Sequence, residues 1–317
     1  MGTQTQIVFF SLVALVSTLF GYLARRQGWI STERAGWFMK AAIVGFDTSL
    51  GFFAVWRLHI IPGTWRLPLV NVAVIATLLA AGFAVARLLK MGRLQTPSFA
   101  FGASISNLSY TLGGFVALSL LGPDALGYQF IYILASPFFI FLVLFPIAHH
   151  YTSESGLGPL ELVRRSVADL RSLPLYAVTA GLALSLTKAP YPAETLERVH
   201  LIDVLLVVGI VLSYVGIGLT ISLRAMRPYL VQSVVMCGLK FAVAPLLMFG
   251  LMSALGYTGI GRQLCLLLAF MPCAVYSIMI PTLFRTDRDL AMTNFIVSHA
   301  VFFAVILPFV LPWAIGL

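Results

Sequence analysis

Residues 97–118 read PSFAFGASISNLSYTLGGFVAL, and residues 266–281 read LLLAFMPCAVYSIMIP. Both stretches are apolar enough to lie in a membrane, and both contain residues that interrupt a helix. In the first, Ser104, Ser106, Asn107, Ser109, Tyr110 and Thr111 form a polar cluster that ends in the pair Gly113-Gly114. Glycine weakens a helix by about 1 kcal/mol per residue. In the second, Pro272 and Pro281 each remove a backbone donor and clash with the preceding turn, with Tyr276 and Ser277 between them. Backbone that leaves the helix at membrane depth persists only where protein buries it or a wet cavity solvates it. Interrupted segments at matching places in two halves of a chain point to the binding site of a secondary carrier. Glycine, serine and proline also serve ordinary membrane helices as contacts and kinks, so the weight lies on finding two such segments, each fourth in its half.

The surrounding chain has the composition of a membrane protein. Of 317 residues, 60% are hydrophobic and 10% charged, and the mean hydropathy is +0.98; a soluble domain carries about a quarter charged residues. A net charge of +9 would suggest nucleic acid in a soluble protein. Here the basic residues fall in short loops between apolar runs, where they orient the chain in a lipid bilayer, and no nucleic-acid partner is implied. Cys237, Cys265 and Cys273 lie inside apolar runs without CxxC or haem-attachment spacing and read as small core residues.

Ten spans follow, at 7–24, 35–58, 67–89, 97–121, 128–149, 174–187, 201–223, 229–255, 263–284 and 289–315, to cross a hydrocarbon core about 30 Å thick. The first has no basic region before it and no small-residue cleavage site after it, so it reads as retained rather than as a signal peptide. Loops after the odd spans, with the span ends that adjoin them, hold 13 lysines and arginines against 5 on the other side. The odd loops are therefore expected in the cytoplasm and both termini outside it, in an inner or plasma membrane. With an outside N-terminus, span 1 runs inward and span 6 outward, so a second half repeating the first must be inverted. The expected organisation is an all-α membrane protein with a first five-helix repeat over 1–149, a cytoplasmic interfacial linker over 150–173, and a second repeat over 174–317. In the linker, Leu160, Val163, Val167 and Leu170 recur at helical spacing on one face, with Glu161, Arg164, Arg165 and Asp169 elsewhere on the wheel, the pattern of a helix lying in the interface.

Charges inside spans are costly and usually functional. Asp47 lies near the middle of span 2, too deep to snorkel, and reads either as an ion-coupling acid or as a structural partner for a neighbouring helix. Lys240, mid-span in helix 8, can answer an anionic substrate or Asp47. His299, with Asn294 and Ser298 in span 10, could take up a proton near neutral pH or be merely hydrogen-bonded. Enzyme signatures are missing: there is no GxSxG, P-loop, metal-ligand spacing or paired acidic motif, and Gly216-Ile-Gly218 lies inside a span. Neither an enzymatic activity nor a metal or other cofactor is expected, apart from H+ or Na+ as coupling ion.

The run from Asn107 to Tyr132, NLSYTLGGFVALSLLGPDALGYQFIY, resembles the fourth span of the auxin efflux carrier family and its following loop. Gly216-Ile-Gly218-Leu-Thr-Ile-Ser-Leu, Lys240-Phe-Ala-Val-Ala-Pro245-Leu-Leu and Met271-Pro272-Cys-Ala-Val-Tyr276-Ser277 are similar to its second half. Asn107 stands as in the family, while Ser109 replaces a glycine and Gly114 a proline. The resemblance implies the ten-helix fold of the bile acid/sodium symporter superfamily, with broken helices 4 and 9 crossing at the midplane, and organic-anion substrates.

The expectation is therefore a secondary transporter that moves a small organic anion by alternating access, proton- or sodium-coupled (symport) or a uniporter. Its site comprises Asn107, Ser109, Tyr110, Thr111, Gly113, Gly114, Pro272, Tyr276 and Ser277, with Asp47, Lys240 and His299 as ion-coupling or charge-pair candidates. Half-helix N-termini would offer N–H groups to a carboxylate. The alternatives are a bile acid-type sodium symporter and a membrane sensor that keeps the fold without turnover. A homodimer is compatible with the chain.

Overall fold

The computed structural model describes residues 3–58, 63–109, 112–153 and 158–316. The fold is built from helices: α1 (Thr3–Arg26), α2 (Thr32–Trp56), α3 (Leu67–Leu88), α4 (Gln95–Ser104), α5 (Gly113–Leu121), α6 (Asp124–Thr152), α7 (Pro159–Ala168), α8 (Leu170–Leu186), α9 (Ala193–Arg198), α10 (Leu201–Thr220), α11 (Leu223–Ala254), α12 (Gly259–Ala269), α13 (Tyr276–Phe284) and α14 (Arg288–Ile315). Each of the ten apolar stretches carries helix, the fourth and the ninth as two short helices apiece. Among the described residues six helices, α2, α3, α6, α10, α11 and α14, are long and apolar enough to cross a membrane, and the pair α7–α8, bent by 78°, would make a seventh. The chain is thus an all-α protein with several membrane-length helices. Leu12, Leu15, Val16 and Leu19 on α1, and Val231, Val234, Leu246 and Phe249 on α11, lie exposed, an apolar surface suited to lipid.

Four helices contain π-helical stretches, at Ala42–Asp47, Ile140–Leu144, Leu239–Val243 and Phe302–Val310. Such stretches are rare and recur at functional positions. Asp47 and Lys240, the two deep charges noted in the sequence, both lie on one.

Contacts gather the chain into two compact units, and each takes segments from both halves of the sequence. The first comprises Met1–Ile60, Pro137–Pro146 and Gly156–Ile221. Its centre is α10, which lies against α1 and α2 because glycine leaves its faces bare. A Cβ on Gly218 would stand 2.1 Å from the Thr18 carbonyl oxygen, and one on Gly21 2.3 Å from that of Val215. Ala35, Val215 and Leu219 close the core between α2 and α10. α8 meets α2 equally closely, since a Cβ on Gly181 would stand 2.6 Å from the Phe52 carbonyl oxygen. The linker helix α7 buries Leu162 and Ser166 and leaves Leu160 83% exposed. Of the apolar stripe expected there, Val163 and Val167 are half-buried, whereas Leu160 and Leu170 face outward.

The second unit comprises Ile61–Ser136, Ile147–Ser155 and Ser222–Leu317. α4 sits on α3 where a Cβ on Gly82 would come within 2.8 Å of the Ala100 Cα. The N-terminal end of α4 is tied to the start of α14: Asp287 N–H donates to the Leu94 carbonyl at 3.1 Å, and the Ser98 and Thr286 hydroxyls are 2.9 Å apart. From α11, Tyr229 Oη donates to Asp287 Oδ2 at 2.8 Å. These ties fix one end of the interrupted helices.

Candidate functional site

Helix α4 ends at Ser104, and the chain runs extended through Ile105 before helix resumes at Gly113. Helix α12 ends at Ala269, and α13 begins at Tyr276. The two breaks face each other. Asn107 N–H donates to the Pro272 carbonyl at 2.8 Å, Ala274 N–H donates to the Ile105 carbonyl at 3.1 Å, and Ser106 pairs antiparallel with Cys273. Each break thereby satisfies backbone groups that an unwound chain would leave bare at membrane depth. Pro272 lacks an N–H, yet its carbonyl is the acceptor that Asn107 uses.

The pairing brings four helix ends together. The C-terminal ends of α4 and α12, which carry partial negative charge, lie at the paired residues. The N-terminal end of α5 lies there too, because Gly113 N–H donates to the Asn107 carbonyl at 3.0 Å and Gly114 N–H to that of Ser109 at 2.9 Å. At α13, Ser277 N–H donates to the Ala274 carbonyl at 3.0 Å and Ser277 Oγ donates to the same oxygen at 2.6 Å. The first amides of both second half-helices are thus closed on the chain's own carbonyls.

Glycine is needed at Gly113 and fits most easily at Gly114. A Cβ on Gly113 would stand 2.7 Å from the Asn107 carbonyl oxygen, so a side chain would open the loop. A Cβ on Gly114 would stand 3.0 Å from Gln129 Nε2. Gln129, 1% exposed in α6, donates that Nε2–H to the Leu108 carbonyl, and its Oε1 has no partner among the described residues.

Lys240 reaches the crossing from α11. It is fully buried, and its Nζ donates to the Ile105 carbonyl at 3.1 Å and to Ser106 Oγ at 2.9 Å. Behind the pairing, Ser298 Oγ accepts from Cys273 N–H at 3.2 Å, and Cys273 Sγ donates to the Gly102 carbonyl at 3.2 Å. Ser233 Oγ donates to Asn294 Oδ1 at 2.8 Å.

Of the residues named from the sequence, Asn107, Gly113, Gly114, Pro272 and Ser277 are buried at the crossing, Ser109 is exposed beside it and Tyr276 half-exposed. Tyr110 and Thr111 lie outside the described residues. Ser277 belongs to the first turn of α13, four residues past Cys273. Pro281 interrupts nothing and lies within α13. His299 Nδ1 is 2.8 Å from the Phe295 carbonyl one turn back on its own helix. Asp47 is half-buried at the last π-helical residue of α2, in the first unit.

Sequence reasoning placed Ser106 in the polar cluster and Cys273 in the core without assigning either to the site, and it passed over Gln129. A lone glutamine in the apolar run GYQFIY was the available signal for the last. Among the described residues no group of three or more His, Cys, Asp or Glu side chains could hold a metal ion. No family model matches the chain, and no curated protein matches it either.

Proposed function

We propose that this protein is a secondary carrier for a small organic anion, of the auxin efflux carrier type, working by alternating access in an inner or plasma membrane. The observation that carries the reading is the antiparallel pairing of the two interrupted helices at Ser106 and Cys273. At about 1.5 Å per residue, the 10 residues of α4 and the 9 of α5 reach only about 15 and 14 Å, each about half of a 30 Å hydrocarbon core. Neither crosses alone, so the breaks belong near the middle, which is where carriers place their substrate. Counting α4–α5 and α12–α13 as one span each, and adding α1 and α8, gives ten spans in two inverted sets of five, without enzymatic chemistry.

The anion's place in this reading is at the N-terminal ends of α5 and α13. Their amides now donate to Asn107, Ser109 and Ala274 carbonyls, and a carboxylate is the stronger acceptor for the same N–H groups. Ser109 and Tyr276 are the site residues with open surface.

Counterflow in proteoliposomes tests this. Vesicles preloaded with one unlabelled organic acid should accumulate the labelled acid transiently, with no gradient of any ion. A panel of mono- and dicarboxylates that stabilises the protein without any exchange would support the sensor instead and defeat the carrier.

A further inference from the structure

The Lys240 ammonium sits where a metal ion would be expected. In carriers built on broken helices, unwound carbonyls and the C-terminal ends of half-helices coordinate the coupling cation. Here the Ile105 carbonyl, one residue past the end of α4, and Ser106 Oγ point at Nζ, at 3.1 and 2.9 Å. The negative end of the α4 dipole favours a cation at that point. Full burial matters as much, because an ammonium held at 0% exposure is retained only when oxygen atoms replace its water. Among the described residues of its unit no carboxylate is within ion-pair distance. The titratable groups near it are Cys237, Cys273 and His299. Its ligands are those of an alkali ion, neutral oxygens at a helix break, and it reaches them from a π-helical stretch of α11.

We propose that Lys240 is the resident cation of the crossing, occupying the place of an alkali ion and holding the α4–α5 break closed on α12–α13, so that the carrier works without sodium. The place assigned to an ion and the last clause rest on the carrier reading; the bonds of Lys240 to Ile105 and Ser106 do not. Binding of substrate is then expected at the opposite, N-terminal ends of the half-helices, with Lys240 as a positioning residue that never touches it.

Melting of the purified full-length protein in detergent tests this without turnover, so a failed counterflow experiment and a failed melt are separate results. Wild type is melted in sodium, potassium, lithium and choline chloride at equal ionic strength, beside Lys240→Ala and Lys240→Met. Wild type should melt alike in all four salts. Lys240→Ala should melt lower in choline and recover saturably with sodium, potassium or lithium, because a ligand of the native state raises its melting temperature. Lys240→Met, which fills a similar buried volume without charge, should stay low in every salt. A sodium-specific rise in wild type would overturn the proposal even if neither variant folds. Lys240→Met melting like wild type, or Lys240→Ala indifferent to every cation, would do the same.

Discussion

Asn107 has two parts with separate jobs. Its backbone N–H and carbonyl hold the crossing through Pro272 and Gly113, and any residue type except proline would keep those bonds. Only the side-chain amide, in a residue 3% exposed, is specific to asparagine. Asn107→Ala should therefore leave the crossing assembled while weakening binding of an organic acid identified by counterflow by about 1–3 kcal/mol, roughly five- to 150-fold. Ser277→Ala should cost less, because its hydroxyl is spent on the Ala274 carbonyl within its own turn. Thr187→Ala, exposed at the end of α8, should do nothing. Titration of that acid against the three variants checks this; a lowered melting temperature with unaltered affinity for Asn107→Ala would assign the amide to packing alone. Asn107 was legible in the sequence because an amide in an apolar run, a few residues before Gly113-Gly114, is costly to bury and is kept only where it finds a bond. Ser106 and Cys273 were not legible as partners, because a single bridge between segments 167 positions apart, from 106 to 273, leaves no periodicity to read.

At the scale of elements, glycine decides which helices touch. α1 and α10 meet backbone to backbone at Gly21 and Gly218, where a Cβ on Gly218 would lie 2.1 Å from the Thr18 carbonyl oxygen and 2.9 Å from the Tyr22 nitrogen. Neither atom can move without its helix. Gly218→Ala should thus drive the pair apart at about 1–3 kcal/mol, the usual cost of overpacking a tight contact. Gly250→Ala, in α11 with nothing within 4 Å of the added carbon, should be neutral or slightly stabilising, since alanine is the better helix former. Melting temperatures of the two variants give the comparison, and equal values would show that the α1–α10 contact yields without cost. Helices themselves were legible, because ten apolar runs recur along the sequence, all but the sixth long enough to span. Their interruptions were legible less evenly. Pro272 lies in a break and Pro281 does not, although both are prolines in the same span. Pro281 follows the first turn of α13, whose amides already close on Ala274 and Val275, so the helix gives up one further bond there and continues.

At the scale of the whole molecule, the parity of the crossings sets where the termini lie. Seven crossings, the number reached by counting the bent pair α7–α8 with the six long apolar helices, put the termini on opposite sides. Ten put them on the same side. Ten crossings require α1 to span, and its 24 residues reach about 36 Å, enough for a core of about 30 Å. They also require each broken pair to count once, which follows from α4, α5, α12 and α13 each being too short to cross alone. On the ten-span proposal the side follows from charge, with 13 basic residues in and beside the loops after odd spans against 5 at the others, because cytoplasmic loops hold the excess. Fusions of a cytoplasm-dependent reporter to Met1 and, separately, to Leu317 should both be silent, while the same reporter inserted after Gly92, between α3 and α4, should be active. Signal from one terminus alone means an odd number of crossings and breaks the symmetry between the halves. Signal from both keeps the parity but reverses the orientation, placing the exposed Arg164 and Arg165 of α7 on the outer face.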